Sequence, residues 1–230
     1  MKKRYIAVAI IALVLMCMIW FLLTVKIHGK RHFRYAKEFC LSFCDLEDGE
    51  SEKIAELKKL KSIRINRTNI TDISFFEDLE HIEDVYFGGI GEYVDFSILK
   101  SCKNLQEFCG SDFGITDLSD FQEVVSLKTF TILQISESKI TDISDVKYLI
   151  NLEEFSVPGM DISDISALKS CQKLKRVTIT GMNTDADCSV FLELPELEYL
   201  RVDEGVLPED VKEKLLEKGV EVVEEEVKED

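Results

Sequence analysis

The stretch Ile140-Thr141-Asp142-Ile143-Ser144 decides the fold, because its last three residues return in outline along the chain. Asp, an apolar residue and Ser also occur as Asp72-Ile73-Ser74, Asp95-Phe96-Ser97, Asp117-Leu118-Ser119, Asp164-Ile165-Ser166 and Asp187-Cys188-Ser189. Successive Asp residues of the six are 23, 22, 25, 22 and 23 positions apart. A fixed period in this range marks a repeat architecture, in which each unit buries its apolar side only against its neighbours. Stacked units of that kind make an open surface rather than a closed catalytic pocket.

Aligning the Asp-x-Ser elements aligns the rest of the unit. Short alternating pairs precede them: Ile63/Ile65, Val85/Phe87, Phe108/Gly110, Phe130/Ile132, Phe155/Val157, Val177/Ile179 and Leu200/Val202. Period-2 alternation over so few residues predicts a short strand with one buried face. Apolar residues after each element, such as Phe76 and Leu79 or Leu168 and Cys171, predict a short helical return. Strands repeated in one direction give a parallel sheet on the inner, concave side, with bulkier returns outside. In each turn the Ser hydroxyl is expected to cap the return, and the Asp to accept local N–H groups. A calcium ladder is disfavoured, since each turn offers one carboxylate and calcium wants several oxygens.

Segments such as Ile70-Thr71-Asp72-Ile73-Ser74 and Lys139-Ile140-Thr141-Asp142-Ile143-Ser144, preceded by Leu-x-x-apolar-x-apolar, resemble the 22-residue leucine-rich repeats of bacterial internalin-type proteins. The resemblance covers residues 54–202, about two thirds of the chain. It implies a shallow solenoid whose concave sheet binds protein partners. The chain departs from the family at the position where an Asn ladder is usual: Thr68, Phe113, Ser138 and Met160 stand there.

Five segments follow: a basic N-terminus over 1–4, a transmembrane helix over 5–25, a basic linker and helical N-cap over 26–53, leucine-rich repeats over 54–203, and a C-terminal cap with an acidic tail over 204–230. Residues 5–25 carry no charge and are long enough to span the roughly 30 Å hydrocarbon layer. A cleaved signal peptide fits less well, because the apolar run is long and no Ala-x-Ala-like site follows. An uncleaved signal anchor with the repeats outside the cytoplasm is the preferred reading, since a short, strongly charged N-terminus is hard to translocate. The cytoplasmic orientation is the alternative, because Lys26, Lys30, Arg31, Arg34 and Lys37 after the span outnumber Lys2, Lys3 and Arg4 before it. Phe33, Tyr35, Ala36, Phe39, Cys40, Phe43 and Cys44 suggest an amphipathic helix covering the first repeat. At the other end Pro208 opens a helix, Gly219 stops it, and Val220, Val222 and Val223 supply a last strand. The fold class is therefore an α/β repeat solenoid, a leucine-rich-repeat arc with a helical N-cap, a helix-strand C-cap and one N-terminal transmembrane helix.

Charge divides the chain sharply. Eight of its 28 Lys and Arg precede Glu38, leaving 20 against all 44 Asp and Glu, a net −24 for the remainder. That sign suits solubility and argues against nucleic acid as a partner. Cys102 and Cys171 occupy a repeat position elsewhere filled by Leu, and read as small core residues. No Cys-x-x-Cys pair or Cys/His cluster suggests a metal site, no nucleophile with a base and orienting acid is evident, and no cofactor is expected.

The register assigns Arg64, Arg67, Tyr86, Glu107, Thr131, Glu154, Arg176, Tyr199 and Arg201 to the concave face as the candidate partner-binding set. Tyr and Arg are frequent interface hot spots, and they gather toward both ends of the array. Charge reversal at Arg176 and Arg201 is expected to abolish capture of a partner. The expected function is protein binding at the cell surface by a single-pass membrane protein. An envelope scaffold without a specific ligand and, further off, a surface hydrolase are the competing readings.

Overall fold

The alternating pairs of the repeats form strands, as their period requires. The computed structural model describes residues 2–89, 94–112, 115, 117–133, 140–183 and 185–226, with the side chains of the first helix described from Leu13 onward. Among these residues nine strands make one sheet in sequence order. They are β3 (Glu38–Ser42), β4 (Ser62–Asn66), β5 (Asp84–Gly88), β6 (Glu107–Ser111), β7 (Thr129–Leu133), β8 (Glu154–Val157), β9 (Arg176–Ile179), β10 (Tyr199–Asp203) and β11 (Glu221–Glu225). Every pairing is parallel and in register, so Ile63, Val85, Phe108, Phe130, Phe155, Val177 and Leu200 form one inward row.

Behind that row the core is a continuous stack of rings. Phe108 lies 5.6 Å from Phe130, and Phe130 lies 6.0 Å from Phe155, both stacked. Phe121 reaches in from a return to pack edge-on against Phe108 at 4.7 Å. Each ring touches residues of the next coil, so no coil is stable alone.

The returns are 3-10 helices, for example Ser74–Asp78, Ser144–Tyr148 and Ser166–Ser170. Five residues between two buried anchors leave no room for α-helical turns, and the tighter i to i+3 bond suits short pieces. The Asp of all six Asp-x-Ser elements accepts the backbone N–H of its Ser at 2.7–3.0 Å. This corrects the expected capping role of the Ser hydroxyl. The carboxylate makes the turn, and the Ser119 hydroxyl is itself a donor to Asp117. An Asp has the reach to close this local ring and prefers the turn to the helix interior.

Where the Asn ladder is missing, other groups tie neighbouring coils. Asn69 accepts the Leu46 N–H at 2.8 Å and donates to the Leu46 carbonyl at 3.0 Å. At the surface, Asn104 and Asn151 donate to carbonyls one coil back. Thr68 and Met160, which replace the ladder Asn, are buried; Phe113 and Ser138 lie outside the described residues. Buried Cys102 and Cys171 donate their thiols to the Phe76 and Val146 carbonyls, and burial pushes both thiols up to about 11.

The N-terminal end departs from expectation. Helix α1 (Lys2–Leu23) stops before Thr24, whose hydroxyl bonds back to the Trp20 carbonyl at 2.7 Å. Thr24 and Val25, which the sequence placed in the apolar span, are buried in β1 (Thr24–Ile27). Among the described residues no helix is long and apolar enough to cross a membrane. β1 pairs antiparallel with β2 (Lys30–Phe33) around His28-Gly29, both with positive φ, the geometry of a two-residue hairpin turn.

No helical N-cap forms. Residues 26–53 supply this hairpin, strand β3 and the start of a 3-10 turn over Glu52–Glu56. Phe39 and Leu41 point inward and Glu38 and Cys40 outward, a period of two that the nearby rings disguised as a helical one. Extending the sheet by a strand covers Ile63 and Ile65 as a helix would. At the C-terminal end α2 (Glu209–Glu217) and β11 do form the helix-strand cap, with Gly219 at φ +85 stopping the helix.

Candidate functional site

The candidate site is the open face of the sheet, built from residues between the buried ones. Its middle row runs Cys40, Arg64, Tyr86, Cys109, Thr131 and Ser156, then Thr178 and Arg201. The adjacent row begins Glu38, Ser62, Asp84, Glu107 and reaches Glu154, Arg176 and Tyr199. The proposed partner-binding residues Arg64, Tyr86, Glu107, Thr131, Glu154, Arg176, Tyr199 and Arg201 thus stand on one surface. Arg67 stands just past β4, at its rim.

At the β3–β5 end, the Arg64 guanidinium lies 5.4 Å from the Tyr86 ring centre, and Arg67 lies 5.1 Å from that of Phe43. Neither arginine has a carboxylate partner among the described residues. Phe43 is 70% exposed, an unusual state for a ring. Phe43, Arg67, Gly89 and Asp112 hold the same place just after successive strands, all with positive φ. For Phe43 and Arg67 that conformation is strained, typically by about 1–2 kcal/mol, and it keeps their side chains at the strand ends. Each donates its N–H to the next strand, Phe43 to Asn66 at 3.0 Å and Arg67 to Gly88 at 2.8 Å.

Two glycines make this end possible. A methyl at Gly88 would lie 2.4 Å from the Ser111 hydroxyl, which bonds the Tyr86 hydroxyl at 3.2 Å. A methyl at Gly89 would lie 2.6 Å from Cγ of Arg67. Below them, Glu38, Phe39, Cys40, Ser62 and Arg64 line a hollow of about 330 Å³. The nearby Cys109 thiol is pushed up by burial, with Arg64 pulling the other way.

The β9–β11 end looks alike in sequence and differs in chemistry. Arg176 sits 4.2 Å over the Tyr199 ring, but its Nε is also 3.9 Å from Glu154. Arg201 is paired with Glu225 of β11, and this holds its guanidinium above its usual range. The Arg201 Nε is covered and meets no acceptor. Glu154, predicted as a binding residue, serves here as a counter-ion. Between the ends the face is lined by half-buried Thr129, Thr131, Ser156 and Thr178.

Sequence reasoning missed Phe43 and Glu225. Ring spacing puts the first on a helix and composition puts the second in a frayed tail, so neither is placed beside its arginine. The Gly88-Gly89 pair was the available signal, because adjacent glycines in a repeat mark a place where side chains from neighbouring coils need the space. The spacing of 25 between Asp117 and Asp142 makes that repeat three residues longer than 22, an insertion within 133–139, which lies outside the described residues apart from exposed Leu133.

No protein-family model matches the sequence, and no curated protein matches it significantly. Solved structures do match. Internalin C2 from Listeria monocytogenes is 18% identical with a TM-score of 0.60, over 78% of this chain and 80% of that one. A leucine-rich-repeat protein of Leptospira interrogans is 17% identical with a TM-score of 0.55, over 74% of this chain. An internalin of Listeria monocytogenes, inlF, is 18% identical with a TM-score of 0.49 over 78% of this chain. The chain spans 65% of that internalin and half of the Leptospira protein. At such identities the likeness concerns architecture: this chain has the leucine-rich-repeat solenoid fold.

Proposed function

We propose that the protein is a membrane-anchored solenoid that binds a protein ligand, and that the β3–β5 end of its open face makes the decisive contacts. The carrying observation is the contrast in counter-ions. Arg64 and Arg67 lie against aromatic rings without a carboxylate among the described residues, whereas Arg176 and Arg201 each have one. Arginine held against a ring keeps its donors free and loses little side-chain freedom on binding. An acidic surface segment on a partner matches that end, and the surrounding negative charge narrows the choice of approach.

The anchor rests on the sequence and on exposure. Residues 5–25 are uncharged, and every described side chain of α1, from Leu13 to Leu23, is exposed. A helix apolar all round requires an apolar surrounding, and a bilayer provides it. The single-pass anchor holds the repeats outside the cytoplasm, with the short basic N-terminus inside.

A photo-crosslinking residue at Tyr86, compared with one at Tyr199, tests the binding reading in native membranes. Capture is expected at position 86, and Arg64→Glu with Arg67→Glu should weaken it by about thirtyfold, the loss of a typical hot spot of about 2 kcal/mol. Arg176→Glu with Arg201→Glu, the pair that the sequence alone marked as decisive, should leave it within a few-fold, because Glu154 and Glu225 already occupy those arginines. Equal loss from both pairs would move the site to the whole face. No capture at either position would favour a scaffold without a ligand.

A further inference from the structure

The region between α1 and the solenoid has a chemistry of its own. Residues 24–37 contain Lys26, Lys30, Arg31, Arg34 and Lys37 and no acid. Two of these are used internally. Arg31 lies 3.7 Å over the Phe21 ring and donates to Thr24 at 2.9 Å; Arg34 is paired with Glu56. Both contacts hold the hairpin against its neighbours, as does the Arg34 N–H bond to the Leu23 carbonyl at 2.9 Å. Lys26, Lys30 and Lys37 are exposed and have no ion pair among the described residues.

The aromatic residues of the same region face outward as well. Phe33 is 54% and Tyr35 65% exposed. Phe33 meets Trp20 edge-on at 5.5 Å, which places it at the last turn of the apolar helix. On its other side the hairpin is fixed to the solenoid by buried Val25 and Ile27. The hairpin and the few residues after it therefore link an apolar helix, a group of rings and three free lysines to the solenoid. Rings at the end of an apolar helix suit the membrane–water boundary, and free lysines just beyond it suit anionic headgroups.

We propose that the β1–β2 hairpin is a lipid-binding collar, which docks on the anionic headgroups of the bilayer that holds α1 and so fixes the solenoid relative to the membrane. This inference rests on the anchor reading above and adds to it the lipid class and the element that meets it. The charge division supports it: the chain from Glu38 onward carries −24 and is repelled by an anionic surface, while residues 24–37 carry five positive charges and no negative one. The hairpin thus orients the domain by attraction at one end and repulsion along the rest. Because the Lys side chains are exposed, the attraction falls with salt.

The full-length chain in nanodiscs tests this, with hydrogen exchange of residues 24–35 as the readout. Discs of phosphatidylcholine are compared with discs containing phosphatidylglycerol. Exchange is expected to slow by roughly tenfold on the anionic discs, to recover at high salt, and to show no such slowing in Lys26→Glu with Lys30→Glu. Quenching of Trp20, the one tryptophan, by brominated lipid reports insertion of α1 separately. Quenched Trp20 with exchange indifferent to lipid charge would overturn the collar and leave the anchor standing. Unquenched Trp20 in both discs would remove the anchor and the collar with it. The salt reversal uses the unaltered chain, so the result does not depend on the variant folding.

Discussion

At one end of the sheet Arg64 leans on Tyr86 and Arg67 on Phe43, and neither forms an ion pair among the described residues. At the other, Arg176 leans on Tyr199 beside Glu154, and Arg201 is held by Glu225. The two ends use the same residue types, with Arg64 and Tyr86 paired in the middle row and Arg176 and Tyr199 in the adjacent one. What separates them is the counter-ions, Glu154 of β8 beside Arg176 and Glu225 of β11, 24 residues downstream of Arg201. An arginine–tyrosine pair in a repeat therefore keeps its donors open only where the neighbouring coils leave it uncompensated. Exposed pairs such as these contribute at most about 1 kcal/mol to stability. Their consequence is the occupation of donors that a ligand would use.

The largest expected effect destroys the comparison by uncoupling both ends. Phe108→Ala removes a fully buried ring from the middle of the stack and should cost about 3–5 kcal/mol in denaturant unfolding. The loss should extend to β4 and β10 alike, because coils stabilise one another through their interfaces. Confinement of the loss to β5–β7 would show that the ends are independent.

Acid should act on both ends equally. The carboxyls of Asp72 and Asp164 are held below their usual range chiefly by the Ser backbone N–H, and those of Asp95, Asp117 and Asp187 chiefly by the Ser hydroxyl. A lowered folded value means stability that is complete above the unfolded value, about 3.9, and is lost as pH falls through the folded one. The melting temperature should be flat above about pH 5 and drop below about pH 4. Asp164→Ala should remove about 0.5–1 kcal/mol at neutral pH and reduce the acid sensitivity. A melting temperature unchanged down to about pH 3 would deny the turns this role.

A smaller change sharpens the contrast in counter-ions. Glu225→Gln should alter stability by less than about 1 kcal/mol while freeing Arg201. Crosslinking at position 199 should then rise toward that at position 86. No rise would mean that Tyr86 and Phe43, rather than free arginine, set the difference. The smallest effect is Arg67→Gly, which suits the positive φ of 51 and should stabilise by about 0.5–1 kcal/mol while weakening capture. A variant that gains stability and keeps capture would show that the strained arginine has no part in binding.

The repeat frame was readable because its signals are periodic and local. Ile65, Phe87, Ile132 and Val157 are buried at the positions that alternation assigned them, and Gly219 stops α2 where a glycine is wanted. The hairpin was less readable. His28-Gly29 is a two-residue turn signal, but the surrounding lysines and arginines gave it the look of a linker. Strand β3 was hidden by Phe33, Tyr35 and Phe43, whose rings are exposed yet counted as a helical apolar stripe. The turns kept the Asp role expected of them and lost the Ser one: each Asp accepts the local N–H, and the hydroxyl makes no cap.

Composition and spacing alone determined the coil length, the buried row and the division into a basic start and an acidic remainder, because each depends on near neighbours or on totals. Tertiary structure decided which arginines stay free, that Gly88 and Gly89 make room for Tyr86 and Arg67, and that a strand rather than a helix closes the first coil. Those outcomes depend on distances between groups 24 or 25 residues apart in the chain, such as Arg201 and Glu225 or Tyr86 and Ser111. Charge and hydrogen bonding act over a few ångströms of space, and only the stacked coils bring these groups that close.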